Sequence, residues 1–286
     1  MDNVVEFKLT TQKKINWSTT IAVALFHIAA IPALFMFSWT NLLVAVVIWW
    51  IAGSLGIGLG YHRLLTHKGF KAPRWVENTL AVFGALAVQA GPLAWVTTHR
   101  IHHAFTETDK DPHSPRGGVI WSHIGWILRG DAQMHNPEYH ERYSPDLVKN
   151  PFLVKLDKYY WVPSAIVGIA LFAFGGIGMV LWGIAVRTVW GWHATWLVNS
   201  ATHLWGTQRF NTGDDSRNNG LIAFLSWGEG WHNNHHAYPR SARHGLKWYE
   251  FDFNWIQIWA LDKLGVISDV YEFKIEEDVK PLKRAA

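Results

Sequence analysis

Half of this chain's sixteen histidines fall into three short words. His62 and His67 close an H-x-x-x-x-H word, while His99, His102 and His103 spell H-x-x-H-H. His232, His235 and His236 spell H-x-x-H-H again. Chance at this histidine frequency would supply roughly 0.05 copies of that pattern, so two copies point to a shared task. On a helix, positions i, i+3 and i+4 share a face, so each triplet is expected to aim its imidazoles at one point. His203, ending Asn199-Ser-Ala-Thr-His203, is a ninth candidate. Nine neutral imidazoles exceed the needs of one ion and suit two. Nitrogen donors without thiolate favour iron, zinc or copper, whereas magnesium or calcium would want oxygen. The other seven (His27, His113, His123, His135, His140, His193, His244) are expected to play ordinary packing or solvated roles, with His113 and His244 as candidate supports for the ligands.

Composition narrows the chemistry further. With no cysteine among 286 residues, disulfides, thiolate zinc sites, iron–sulfur clusters and thiol nucleophiles are excluded. H-E-x-x-H, the Gly-rich phosphate loop and the Gly-x-Ser-x-Gly elbow are all absent from the sequence. A net charge of +4 without a long basic run gives no reason to expect nucleic acid. Charged residues reach only 17%, while nineteen tryptophans exceed what a soluble core needs, as in proteins with interfacial aromatic belts.

The elements that must position the histidines are then membrane helices. Residues 19–39 and 41–60 are apolar runs long enough to cross hydrocarbon, separated by a tight turn at Ser38–Asn41. Residues 162–204 suffice for two more, 162–176 and 178–204, with Gly175–Gly178 as the turn. Of 26 Lys and Arg, three precede the first span, twelve lie between Tyr61 and Tyr160, and ten follow Trp205. That bias places both termini and the segments 61–161 and 205–265 on the cytoplasmic side, with 1–18 and 266–286 as polar ends. No cleavable leader is expected. Val76–Thr98 is apolar enough for a fifth span, but crossing there would separate the first two histidine words. It is expected to dip into the membrane or pack on the cytoplasmic part. The spans hold almost no ionisable groups, and Arg187 is the notable exception, able to snorkel outward or pair inside the bundle. The expected fold is thus an all-α membrane protein: four transmembrane helices in two hairpins, with a cytoplasmic helical cap carrying a His-box dimetal site.

The three boxes on such a chain resemble the integral-membrane fatty acid desaturases, and in particular the delta-9 branch of acyl-CoA and acyl-lipid members. The likeness runs from about residue 40 to 265 and includes Gly60-Tyr-His-Arg63, Asp111-Pro-His113, Trp121-Ser-His-Ile-Gly-Trp126, Ala194-Thr-Trp-Leu-Val-Asn-Ser200 and Gly228-Glu-Gly-Trp-His232. The resemblance implies that His62, His67, His99, His102, His103, His203, His232, His235 and His236 bind two irons, with Asn199 reaching one of them through water. Zinc could replace iron in an expressed protein. Which histidine serves which ion is not legible in the sequence.

The same resemblance implies an O2-dependent oxidoreductase that places a cis double bond, at delta-9, in a saturated acyl chain. Gln89, Trp95, Thr195 and Trp196 would line a kinked channel for that chain. Positions that carry charge before the second box in animal acyl-CoA members read Ala94, Thr97 and Thr98 here. A glycerolipid or acyl carrier protein therefore competes with CoA as the carrier, and other words look bacterial or cyanobacterial. Electrons must come from a separate ferredoxin or cytochrome b5, for which Arg240, Arg243 and Lys247 form a candidate basic dock. The rival expectations are a lipid hydroxylase with the same metals and, in another class, a membrane metal transporter or sensor.

Overall fold

The computed structural model describes residues 14–129 and 136–275. His135 and the outer parts of both polar ends lie outside the described residues. Among the described residues the regular structure is helical, joined by four isolated β-bridges and no strand.

Helix α1 (Trp17–Ala33) starts where the Asn16 side chain accepts a hydrogen bond from Thr19 N, 3.1 Å away. One face of α1 leaves Ile21, Leu25 and Ile28 more than half exposed, as a lipid-facing surface would. After a tight turn, Ser38 caps α2 (Trp39–Thr66) through Asn41 N at 3.0 Å. The helix is longer than the apolar run that announces it, so the first histidine box lies on its last turns. From Trp50 to Thr66 it winds with wide i→i+5 turns.

Val76–Thr98 does not form one rod. Helix α3 (Arg74–Leu86) has 13 residues and α4 (Pro92–Phe105) has 14, both short of the roughly 20 a crossing needs. Between them Val88 and Ala90 take left-handed backbone, with φ of 54° and 81°. Helix α3 lies directly on α2: a Cβ at Gly56 would stand 2.3 Å from the Phe83 carbonyl carbon, and one at Gly60 would stand 2.9 Å from Leu80 O. Those two glycines, four residues apart on one face, allow the close approach.

Short helices α5 (Pro137–Tyr143), α6 (Pro145–Val148) and α7 (Pro151–Lys158) lead to the longest apolar stretch, Val162–His203. It contains α8 (Val162–Val180), the wide turns Leu181–Val186 and α9 (Arg187–Ser200). Gly176, at φ 64° and ψ −162°, breaks it where the glycine-rich turn was expected. Gly168 then faces Ile184 and Gly183 faces Leu171, pairs placed almost symmetrically about Gly176, so the two arms run back along each other.

Among the described residues three helices are long and apolar enough to cross a membrane: Trp17–Met36, Trp39–Thr66 and Val162–His203. Arg187 does not snorkel. It is 1% exposed, with Nε donating to Gly183 O at 3.0 Å and Nη1 to Leu86 O at 2.5 Å. Carbonyl partners offset the cost of a cation at membrane depth, about 3 kcal/mol on insertion scales.

Beyond Trp205 the chain forms α10 (Gly220–Leu225), α11 (His232–Ala237) and α12 (Phe253–Lys263). The largest apolar core joins α12 to the membrane helices, with Leu59, Leu64, Leu80, Leu93, Leu153 and Ile258 packed together, while Ile222 of α10 packs with Val198 and Ala201 in a smaller one.

Candidate metal centre

The nine histidines converge as two clusters. Ring nitrogens of His62, His67, His99, His103 and His235 lie within 4.8 Å of one another, as do those of His102, His203, His232 and His236. The H-x-x-H-H triplets do not aim at one point, which corrects the sequence expectation. His99 and His103 enter the five-membered cluster and His102 the other, while His232 and His236 enter the four-membered cluster and His235 the other. The helix explains the split. Positions i and i+4 are about 40° apart, whereas i+3 and i+4 diverge by about 100°. Each triplet therefore straddles two sites, and two triplets facing each other complete both.

Winding solves a similar problem for the first box. On an α-helix, His62 and His67 would point about 140° apart. In the widened turns His67 N donates to His62 O at 3.1 Å, and the ring centroids come within 4.9 Å. Helix α4 is aimed by its start: Asp157 Oδ1 accepts from Leu93 N at 2.8 Å and from Ala94 N at 3.0 Å. A Cβ at Gly91 would stand 2.4 Å from that Asp157 oxygen, so glycine is what allows this cap. Helix α11 is held by Asn234, which donates to His244 O and to Glu250 Oε2, the latter also bound by Arg209.

A ring of carboxylates, absent from the sequence reading, surrounds the histidines. Nδ1 of His62 meets Glu229 at 2.6 Å, His102 meets Asp111 at 3.0 Å, His203 meets Glu107 at 3.0 Å and His236 meets Asp214 at 2.8 Å. Such a bond fixes the tautomer and leaves Nε2 with its lone pair inward. Arg63 secures Glu229 and Asp252 together, donating to both at 2.9–3.1 Å. Asp111 and Glu229 stand inside words noted in the sequence; an acid beside a histidine box was the signal available. Glu107 holds a left-handed φ of 60°, a strained backbone of the kind found where function demands it. His113 packs on His102 at 4.2 Å between centroids, and His244 on His235 at 4.4 Å, as ligand supports would.

Protonation follows from burial and crowding. Burial, reinforced by neighbouring imidazoles, holds His67, His99, His103, His232 and His235 well below the ordinary histidine value. Burial also pushes His236 down to about 4, against the opposing pull of Asp214, and His244 down to about 4 with Arg63 assisting. Burial alone would raise Asp111, Asp214 and Glu229. Their histidine partners, and Arg63 for Glu229, outweigh it and hold all three below the usual carboxylate range.

The donor set fits metal ions. Nε2 of His67, His102, His203 and His236, and both ring nitrogens of His232, are buried with no hydrogen-bond partner. In the larger cluster the Nε2 atoms of His62 and His235 stand 3.1 Å apart, those of His235 and His103 3.0 Å, and those of His103 and His99 3.2 Å. With metal–nitrogen bonds of about 2.1 Å, ligand nitrogens at right angles around one ion stand about 3.0 Å apart.

A cavity of about 290 Å³ runs up to these rings. His62, His99 and His232 form its head, and Ala22, Val23 and Phe26 of α1 line another part. Gln89, Trp95, Thr195, Trp196 and Asn199 all line it. Gln89 Nε2 donates to Thr195 Oγ1 at 2.9 Å, tying the α3–α4 break to α9 across the cavity. Of the expected basic dock, Arg240 and Lys247 are exposed, while Arg243 pairs with Glu272 at 2.8 Å.

Fold and site together define a helical protein with membrane-length apolar helices and two histidine clusters, each of which could hold a metal ion, at the head of a mainly apolar cavity. The chain belongs to the fatty acid desaturase family, whose family model matches residues 37–263. It is 44% identical to the sn-1 stearoyl-lipid 9-desaturase of Anabaena variabilis, covering 91% of this chain and 96% of that protein. It is 43% identical to the sn-2 palmitoyl-lipid 9-desaturase of Nostoc sp. (strain 36), over 90% of each. An acyl-CoA 5-desaturase of Anemone leveillei is 42% identical over 90% of this chain and 83% of its own length. The chain is thus a desaturase-type oxidoreductase.

Proposed function

We propose that this enzyme introduces a cis double bond at delta-9 of a saturated acyl chain carried on a membrane glycerolipid, with two irons held by nine histidines. His62, His67, His99, His103 and His235 would hold one ion, and His102, His203, His232 and His236 the other, with Asn199 completing the second through water. The observation that carries this reading is the set of buried, unpartnered nitrogens at the head of an apolar cavity. Bound iron supplies activation of dioxygen, because removal of hydrogen from an unactivated methylene is beyond any side chain.

The protein's own part is positioning. The acyl chain lies along Trp192, Trp196 and Trp95, and the Gln89–Thr195 bond fixes a bend beside the histidines. Only one pair of carbons fits a bend at a time, which is how a chain of identical methylenes acquires a position. Apolar walls exclude water from the reacting carbons. Asp111, Glu107, Asp214 and Glu229 keep their histidines in the tautomer that presents Nε2.

The topology that serves this chemistry is four crossings in two hairpins, the second turning at Gly176, with the termini, the cap and the centre on the cytoplasmic side of a bacterial-type membrane. The basic-residue bias supports that orientation. The glycerolipid carrier is favoured by Ala94, Thr97 and Thr98 before the second box and by the two lipid-specific relatives. The electron donor is a separate ferredoxin or cytochrome b5, meeting the exposed Arg240 and Lys247.

The test is turnover of stearoyl glycerolipid by purified, iron-loaded protein in lipid nanodiscs with O2 and reduced ferredoxin. A cis monoene at carbon 9 is the expected product. A hydroxylated chain would replace the desaturase reading by that of a hydroxylase, and stearoyl-CoA turned over in preference to the lipid would overturn the carrier.

A further inference from the structure

The break between α3 and α4 is a strained part of the cavity wall. Val88 and Gln89 line the cavity, while Val88 and Ala90 hold left-handed backbone at φ 54° and 81°. A β-branched residue rarely takes that conformation, which persists only where its surroundings over-determine it. Here the surroundings come from the far side of the bundle. Leu86 ends α3, so its carbonyl has no partner within the helix. It accepts from Arg187 Nη1 of α9 and, at 3.1 Å, from Ser164 Oγ of α8. Two residues on, Val88 O accepts from Trp192 Nε1 at 3.0 Å. Gln89 then donates to Thr195 Oγ1 at 2.9 Å and accepts from Trp95 Nε1 of α4 at 3.4 Å. Three side chains of α9, at positions 187, 192 and 195, thus meet the break at 86, 88 and 89 in matching order.

Arg187 differs from the other two. A guanidinium at membrane depth is expensive and marks a function by default. Its hydrogen-bond partners are carbonyls, its Nη2 has none, and among the described residues no carboxylate pairs with it. An apolar side chain would be cheaper for stability, and Ser164 would still satisfy Leu86 O. What an apolar side chain could not do is clasp the two elements together. Nε is fixed on Gly183 O, one turn back along its own chain, while Nη1 reaches across to α3. The cation also suits the negative end of the α3 dipole.

We propose that Arg187 is a positioning residue that sets where the acyl chain bends, and so which pair of carbons loses hydrogen, a role that rests on the function proposed above. It acts through Leu86. With that carbonyl tied to α9, the two left-handed residues have no slack to unwind, and Gln89 meets Thr195 in one register. Without the tie, Val88 and Ala90 can relax toward ordinary backbone and Gln89 can shift along α9. The bend then lies beside a neighbouring methylene, and the double bond moves with it.

Product position tests this in purified, iron-loaded protein in nanodiscs with O2, reduced ferredoxin and stearoyl glycerolipid. Arg187→Met removes a buried cation, so the melting temperature should hold or rise. The ratio of carbon-9 product to its neighbours should fall about five- to tenfold, the factor one hydrogen bond carries, and total monoene should fall less than that ratio. Arg187→Lys keeps the charge but ends about one bond short and lacks the fork, so it should lose about two- to threefold of the same ratio. It also decides the matter where the methionine variant does not fold. Wild-type selectivity in the folded variants, or lost product with carbon 9 still dominant, would overturn the proposal. Methyl NMR of zinc-loaded, ¹³C-alanine protein needs no turnover. The Ala90 signal, identified by its loss in Ala90→Gly, should be single in wild type and shift or split in Arg187→Lys. An unchanged signal would overturn the anchor. A wild type that makes no monoene would remove the desaturase reading, and the Ala90 signal would still decide whether Arg187 holds the break.

Discussion

The two histidine clusters are built in different ways. In the four-membered cluster three rings are steered by carboxylates, His102 by Asp111, His203 by Glu107 and His236 by Asp214. In the five-membered cluster, among the described residues, only His62 has such a partner, Glu229, and the rings hold one another by edge-to-face packing at 4.5–4.9 Å between centroids. One site is preset by charge and hydrogen bonds, the other by crowding. The difference teaches where each is vulnerable: the first to loss of an acid outside the ligand set, the second to any change of ring volume.

Removing a ligand should have the largest effect and should separate the sites. His232→Ala is expected to lose one of two metals per chain and more than about 100-fold in turnover, with the other metal retained. His235→Ala should do the same at the opposite site, and metal analysis beside activity checks both. An acid comes next. Asp214→Asn should weaken one metal by about 10–100-fold and leave the other unchanged, as read by competition with a chelator. Equal weakening of both metals would break the distinction between the clusters.

Proton competition sharpens it further. Unfolded histidine protonates near 6.5, whereas folded His236 and His244 do so only at about 4. Between those values the unfolded chain binds more protons, so metal-free protein should lose stability as pH falls from about 6.5 to about 4 and show little dependence on these rings above it. Thermal melting across that range is the check, and a melting temperature that rises on acidification would contradict the assignment. The smallest effect is expected at the cavity wall. Gln89→Leu removes the bond donated to Thr195 and the longer one accepted from Trp95, each worth about 1 kcal/mol at most, and should spread the double bond over neighbouring carbons with little change in rate.

Much of this was legible in the sequence because histidine words and apolar runs are local patterns. The nine histidines meet, Gln89, Trp95, Thr195 and Trp196 line one cavity, and the chain turns at Gly176. What was not legible depends on angles and long-range contacts. The wide winding of Trp50–Thr66 makes His62 and His67 neighbours, and no residue type in that segment announces it. The splitting of each H-x-x-H-H between two sites becomes visible only once α4 and α11 face each other. Asp214 lies 22 positions from His236, and Glu107 lies 96 from His203, so those pairs carry no spacing signal. His27, His193 and His123, which looked like ordinary histidines, are drawn together by three separate elements.

The most direct test of the whole account is fatty-acid profiling of cells that make few monoenes and supply ferredoxin, expressing wild type, His232→Ala or His235→Ala. A new cis monoene with its double bond at carbon 9 is expected from wild type and from neither variant, because each variant breaks a different cluster. The same monoene from either variant, or none from the iron-loaded wild type, would contradict a reaction that needs both.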